Sequence, residues 1–307
     1  MTITPLAGKY AKVMCNINNE EDVSNFQDQM EFFYKWASNN NMEYNDGKFV
    51  VLRYGQNQDI KNNTLYFSND MKEVISPQES HKDLGILMSD DASFDIHINF
   101  IIKKARQKIG WFLRSFRSRD LKFMRKMYVT YIRPQLEYCS VLWSPKEGPI
   151  MDKIEKIQYD FSKLIPEIKN DPYEVRLGKM NITSMERRFD RYKIFYIQKI
   201  LRGIVPNIGI NMRRKERDRN GIIIESNKKL HSNQHDFLTV GPKIFNKLPT
   251  ELRSLYDSME VFKIKLDQFL EVIPDRPRIG YQSKMYSNSL HNAINEWNYS
   301  VKSRTIV

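Results

Sequence analysis

The chain has 307 residues, a formal net charge of +12 and a pI near 9.4; 41% of its residues are hydrophobic, 12% aromatic and 28% charged. That apolar share suffices for packed cores and excludes a wholly disordered chain. No run approaches 18 apolar residues and no apolar signal segment opens the sequence, so neither membrane spanning nor secretion is expected.

In chain order, residues 1–15 hold Pro5 and Gly8 and read as a ragged start. From Glu21 to Ala37, Val23, Phe26, Met30, Phe33, Tyr34 and Ala37 recur at helical spacing. Phe49 to Tyr54 is a strand candidate closed by Gly55. Thr64–Phe67 and Glu73–Ile75 read as a hairpin across the Ser68-Asn69-Asp70 cluster, and Lys82 to Met88 as one more strand. Ile98, Ile101, Ile102, Ala105, Ile109, Phe112, Leu113 and Phe116 then define a helix of about five turns. A second helix is predicted from Leu121 to Ile132, with a break forced near Arg133 by Pro134. Others are predicted over Ile150–Leu164, Ser184–Ile204 and Ser258–Val272. Residues 211–235, with Arg213, Arg214, Lys215, Arg217 and Arg219, read as a basic linker, and 274–307 as a weakly ordered tail.

Cys15 and Cys139 are far apart and have no zinc spacing, which suits a reduced, intracellular protein of nucleus or cytoplasm. The excess of Lys and Arg favours a polyanionic partner, because basic side chains on phosphates release condensed counterions. That excess peaks in residues 103–126. Lys103, Lys104, Arg106, Lys108, Arg114, Arg117, Arg119, Lys122, Arg125 and Lys126 stand there against Asp120 as the one acid. A neutral solvated face mixes signs, so the charges are read as phosphate-binding. The interleaved Trp111, Phe112 and Phe116 are read first as core, with stacking on bases the second reading.

Several segments, taken in order, carry a resemblance. They are "MEYNDGKFVVLRYG", "HKDLGILMSDD", "IIKKARQKIGWFLRSFRSRD", "YVTYIRPQLEYCSVLWSP", "IEKIQYDFSKLIPEI", "PYEVRLGKMNITSMERRFDRYKIFYIQKILRG" and "FNKLPTELRS". Together they resemble the part of jockey-like non-LTR retrotransposon reverse transcriptases that follows the catalytic Asp-Asp motif, over about residues 12–272. The resemblance places Asn45 and Lys48 at the family's Asn-x-x-Lys segment and Leu84-Gly85 at its primer-grip hairpin. The basic helix matches its first thumb helix.

The resemblance implies an α+β chain: a remnant of a polymerase palm, with short antiparallel strands and a helix, then a mainly helical thumb and a helical C-terminal extension. The expected divisions are 1–90 partial palm, 91–148 thumb-like helices, 149–210 helical extension, 211–235 linker, 236–273 small unit and 274–307 tail. It implies RNA and DNA, as primer-template, for partners, with no membrane and no small-molecule substrate. Lys48, Leu84, Gly85, Lys103, Lys104, Arg106, Lys108, Arg114 and Arg117 would be the nucleic-acid-binding residues.

The family synthesises DNA on RNA with Mg²⁺ held by palm carboxylates. Here Lys9 and Tyr10 stand where the two aspartates belong. A lysine is electrostatically wrong for Mg²⁺. The expectation is therefore a reverse-transcriptase fragment that grips nucleic acid, with no catalytic residue and no cofactor of its own. The alternative is a non-catalytic, helical nucleic-acid-binding protein.

Other constellations are discounted. Asp90-Asp91 reads as a turn leading into a helix and His231/His235 lack a third zinc ligand. His81 and His97 read as structural, Cys139 as core and Trp143 as a packing anchor.

Overall fold

The computed structural model describes residues 2–6, 10–45, 48–54, 65–67, 74–145, 148–207, 211–214, 222–225, 237–253, 258–277, 279 and 288–304. Lys9, the Ser68-Asn69-Asp70 cluster, Lys215, Arg217, Arg219, His231 and His235 lie outside them. The chain is α+β, and it divides into two compact units, Met1–His97 and Ile98–Val307.

The first unit opens with an antiparallel hairpin where the sequence suggested only a ragged start. Strand β1 (Thr2–Leu6) pairs with β2 (Tyr10–Met14), Leu6 opposite Tyr10. Helix α1 (Glu20–Asn39) follows. The Asn19 side chain caps it by accepting the Asp22 N–H at 2.8 Å, and Glu20, Glu21 and Asp22 sit at the positive end of the helix dipole. The helix buries Gln27, Met30 and Ala37. Gln27 behaves as an extra rung of sheet: its amide donates to Phe67 O at 3.2 Å and accepts the Phe67 N–H at 2.9 Å. Phe67 belongs to β3 (Tyr66–Phe67), antiparallel to β4 (Val74–Ile75), as the sequence suggested.

Two strand assignments in this unit change. Of Phe49–Tyr54, only Val51 pairs, in an isolated bridge to Pro77. The expected single strand over Lys82–Met88 is a tight hairpin, β5 (Ser80–Asp83) against β6 (Ile86–Ser89). Its two-residue turn has both members at positive φ, Leu84 at 46° and Gly85 at 90°. That is the turn whose twist matches paired strands. Gly85 adopts it freely, while Leu84 does so at a cost of about 1 kcal/mol.

The second unit is helical. It begins within α2 (Asp95–Ser115) and continues through α3 (Leu121–Met127), a π-helical turn at Tyr128–Ile132 and α4 (Arg133–Glu137). Here Pro134 does not break the helix. The Arg133 N–H reaches back five residues to Tyr128 O, and the widened turn makes room for the proline ring. Then come α5 (Ser140–Trp143), α6 (Gly148–Ser162), α7 (Tyr173–Met180) and α8 (Met185–Leu201). Helix α7 was not anticipated. Trp143 is fully buried, as expected of an anchor; its indole N–H donates to Tyr138 O at 2.7 Å and its ring meets Phe189 edge-on. Cys139, expected in the core, is exposed at φ 52°. It sits at the left-handed step between α4 and α5, which turns its side chain outward.

The expected linker contains paired strands, β7 (Asn211–Arg214) and β8 (Ile222–Glu225). Helices α9 (Phe237–Phe245), α10 (Thr250–Arg253) and α11 (Met259–Glu271) follow. Helix α9 lies close against α8 because Gly241 has no side chain: a Cβ there would stand 3.1 Å from Ile197. The expected weakly ordered tail contains α12 (Leu290–Arg304). Its Leu290 and Ile294 join Ile194, Ile197, Phe245 and Phe262 in one buried cluster. Apolar burial, which the tail's polar composition hides, is what orders it.

A buried polar staple holds that segment in place. The Ser184 N–H and hydroxyl donate to the two Asp275 oxygens at 2.7 and 2.8 Å, and the Asn288 amide donates to Ser184 Oγ at 3.0 Å and Asp275 Oδ1 at 2.7 Å. Ser184 also caps α8 by accepting the Arg187 N–H. Ser184→Ala takes a donor from Asp275 Oδ1 and an acceptor from both the Asn288 amide and the Arg187 N–H at once. A loss of about 1–2 kcal/mol is expected, read as a lower urea midpoint with an unchanged slope. Among the described residues, no helix is long and apolar enough to cross a membrane.

Candidate nucleic-acid interface

Helix α2 forms because its apolar residues fall on one stripe and its charges suit the helix dipole. Ile98, Ile101, Ile102, Ala105 and Phe112 are buried. Asp95 occupies the first turn and Arg114 the last. The opposite face carries Lys103, Arg106, Gly110 and Arg114 at steps of three and four residues, with Lys104 and Trp111 beside them. Lys103 to Arg114 spans about 16 Å of helix, roughly the rise of five base pairs.

The structure sorts the basic stretch into two groups. Arg119 closes the end of α2: its guanidinium donates to Leu113 O, Phe116 O and Ser118 O at 2.9, 2.6 and 2.8 Å, and it stacks on Phe112. Arg125 closes α7 through Met180 O at 2.6 Å and Asn181 O at 3.4 Å. Lys108 reaches Tyr131 O at 3.3 Å and ties α2 to the π turn. Each of those three is tied to backbone carbonyls.

Lys103, Lys104, Arg106, Arg114, Arg117, Lys122 and Lys126 are all exposed. None of them has a carboxylate partner among the described residues. Lys104 lies over the Phe100 ring at 4.6 Å. Gly110 leaves room for the Arg114 guanidinium, whose nitrogen would stand 3.3 Å from a Cβ at that position.

Elsewhere in this unit several cations are paired. Arg188 pairs with Glu137, Arg191 with Asp267 at 2.6 Å, Lys193 with Asp190 at 3.1 Å and Lys179 with Asp171 at 2.8 Å. Seven exposed cations without an ion pair among the described residues thus follow one another along α2, the turn after it and α3. Lys122 and Lys126 are exposed in the same way, although they were not among the expected site residues. Their positions within the ten-to-one stretch were the available signal.

The remaining selected residues lie in the first unit. Lys48 is exposed, in a turn closed by its own N–H on Asn45 O at 2.9 Å. Leu84 is exposed at the tip of the β5–β6 hairpin. His97 is buried: its Nδ1 accepts the Leu87 N–H at 3.3 Å and burial pushes its pKa down to about 4. It is a structural histidine, as expected. Asp91 accepts from Ser89 Oγ and the Ser93 N–H and so shapes a turn; these hydrogen bonds hold its pKa below the usual carboxylate value. No group of described residues has the composition to hold a metal ion.

The aromatics divide. Phe112 is core, but Trp111 is 52% exposed, and Phe116 also reaches the surface, edge-on to Trp111 at 6.0 Å. The core reading fails for these two because Trp111 sits seven residues after Lys104, on the charged side of the helix.

No protein-family model matches the chain, and no solved structure matches it. A curated protein of Caenorhabditis elegans, described only as an uncharacterized protein, is similar: 25% identical over 109 residues, covering 34% of this chain. The chain spans about half the length of that relative, 55%.

Proposed function

We propose that this chain is a nucleic-acid-gripping piece of a non-LTR retrotransposon reverse transcriptase, one that holds an RNA–DNA primer-template and does not itself synthesise DNA. The observation that carries the reading is the run of exposed cations on α2 and α3, none of them in an ion pair among the described residues, with Asp120 the one acid among them. A field of one sign at that density attracts phosphate and is otherwise a repulsive burden on the fold. The ordered segments quoted above supply the family. The β5–β6 turn at Leu84-Gly85, at the matched primer grip, and the β1–β2 hairpin, with Tyr10 opening its second strand, are in keeping with it. The lack of synthesis rests on Lys9 and Tyr10 at the aspartate positions.

The alternative is a helical nucleic-acid-binding protein with no polymerase ancestry. It is favoured by one fact: the seven exposed cations of α2, the turn after it and α3 all belong to the Ile98–Val307 unit. A fluorescent RNA–DNA duplex with a recessed 3′ end, titrated from low to high salt against a blunt duplex, tests both. If four or more of these side chains reach phosphates, log affinity falls against log salt with a slope of about −4 or steeper. Affinity that does not change with salt rejects both readings, and equal binding of blunt and recessed duplexes favours the alternative. Template-directed extension in Mg²⁺ by the pure chain overturns the claim that synthesis is absent.

A further inference from the structure

On the flank of the basic face lies a cleft that the duplex-gripping reading does not use. It holds about 180 Å³ and is lined by Lys108, Trp111, Phe112, Met127, Tyr131 and Ile132. Phe112, Met127 and Ile132 form its buried floor, while Trp111 and Tyr131, exposed by 52% and 51%, form its rims from two different helical segments. The π turn is part of the reason the cleft exists: the wider turn at Tyr128–Ile132 carries Tyr131. Lys108 reaches across to Tyr131 O at 3.3 Å and so fixes one helical segment to the other. Phe116 meets the Trp111 ring at a near right angle, and half of the Trp111 side chain stays open to solvent.

A cleft with aromatic rims and an apolar floor takes a flat, apolar-faced group. Its surroundings decide which. Lys103, Lys104 and Arg114 are exposed on the helix that supplies Trp111, and none has a carboxylate partner. An apolar protein segment gains nothing from those cations. A nucleotide does, because its base has a π face and its backbone carries the anion.

We infer that the Trp111–Tyr131 cleft is a stacking site for an unpaired nucleobase of single-stranded RNA or DNA, with the phosphates beside that base lying on the basic face of α2. This rests on the proposed nucleic-acid grip and assigns to it a second kind of substrate, a single strand next to the duplex.

The two kinds of contact separate experimentally. Phosphate contacts set how steeply affinity falls with salt, whereas stacking is insensitive to it. The full chain is titrated with a blunt RNA–DNA duplex and with single-stranded RNA and DNA oligonucleotides, one base replaced by 2-aminopurine. The expected result is quenching of the 2-aminopurine when wild type binds the single strands. Trp111→Ala should then lose about tenfold in single-strand affinity at every salt concentration with the slope unchanged, and keep its duplex affinity. Trp111→Phe should restore most of the loss. RNA and DNA arms that differ identify the preferred strand and support the site either way.

No quenching by wild type overturns the inference without reference to any variant. An equal loss on duplex and single strands, or no loss on either, overturns it too, the latter pointing to a protein-docking face. Failure of the blunt duplex to bind at all is the separate failure of the underlying grip.

Discussion

Replacing Lys103, Arg106 and Arg114 together by Ala is expected to lower affinity for an RNA–DNA duplex by about 10²–10³-fold at 0.1 M salt and to reduce the salt slope by about 3. Each phosphate contact contributes about 0.9 to the slope, so each is equivalent to about 0.9 of a decade at 0.1 M. Three contacts removed give the figure. The three side chains are exposed and free of carboxylate partners, so the folded chain loses no ion pair. Alanine is also the best helix former. The thermal melt should therefore be unchanged or slightly raised, which separates loss of binding from loss of fold. Lys156→Ala is the control. Lys156 is as exposed as the three but pairs with Asp160 at 3.1 Å, and its removal should leave the slope alone. If the triple variant keeps the wild-type slope, α2 does not track phosphate, and the proposed function loses the observation that carries it.

The sequence showed this face clearly because it is local. Residues three and four apart on one helix share a face, and the apolar stripe from Ile98 to Phe112 leaves the charges only the other side. The same reasoning reached α1, α6, α8 and α11, and it began the last two at Ser184 and Ser258, the residues that cap them. It failed where the decisive partner is remote or where a backbone defect intervenes. Pro134 reads as a stop because a regular helix cannot hold it; the π turn one residue earlier is a tertiary solution with no periodicity of its own. The tail around Asn288 and Leu290 reads as polar and loose, yet Asn288 bonds to Ser184 and the Leu290 N–H to Asp190 Oδ2 at 2.9 Å, partners about a hundred residues away. Trp111 was lost to the core by residue type, although its position on the wheel placed it among the cations.

The buried polar centre of the helical unit should make stability depend on pH in a direction unusual for a carboxylate. Glu155 is buried on α6. It accepts from the Tyr173 hydroxyl at 2.5 Å and the Met185 N–H at 2.7 Å, with the Gln158 amide at 3.3 Å. Tyr128 of the π turn joins the same network by donating to Gln158 Oε1 at 2.8 Å. Loss of hydration outweighs these bonds and raises Glu155 from 4.5 to about 7, with Asp275 adding to the rise. Glu186, half-buried at the start of α8, is raised to about 8 by loss of hydration and by Asp190 and Glu155.

Between pH 4.5 and 7 the folded chain keeps a proton on Glu155 that the unfolded chain has released. Folding stability therefore falls as pH rises through that window, and below pH 4.5 the penalty is absent. His97 acts in the opposite sense. Its value of about 4 means that stability is lost as pH falls below its ordinary 6.5, so the raw curve of the wild type mixes both groups. The difference between Glu155→Gln and wild type cancels His97 and reads the Glu155 carboxyl together with its influence on Glu186. At pH 5 the variant should be about equal or somewhat less stable, because its amide nitrogen meets one of the donors that Glu155 accepts. From pH 5 to pH 8 it should gain on the wild type by about 2–3 kcal/mol. In a unit of this size that corresponds to about 5–10 °C in Tm. A variant whose melting curve shifts by the same amount at every pH would mean that Glu155 is charged throughout. The hydrogen bonds of Tyr173 and Met185 would then outweigh burial, and the network would be a buried anion site in place of a protonated one.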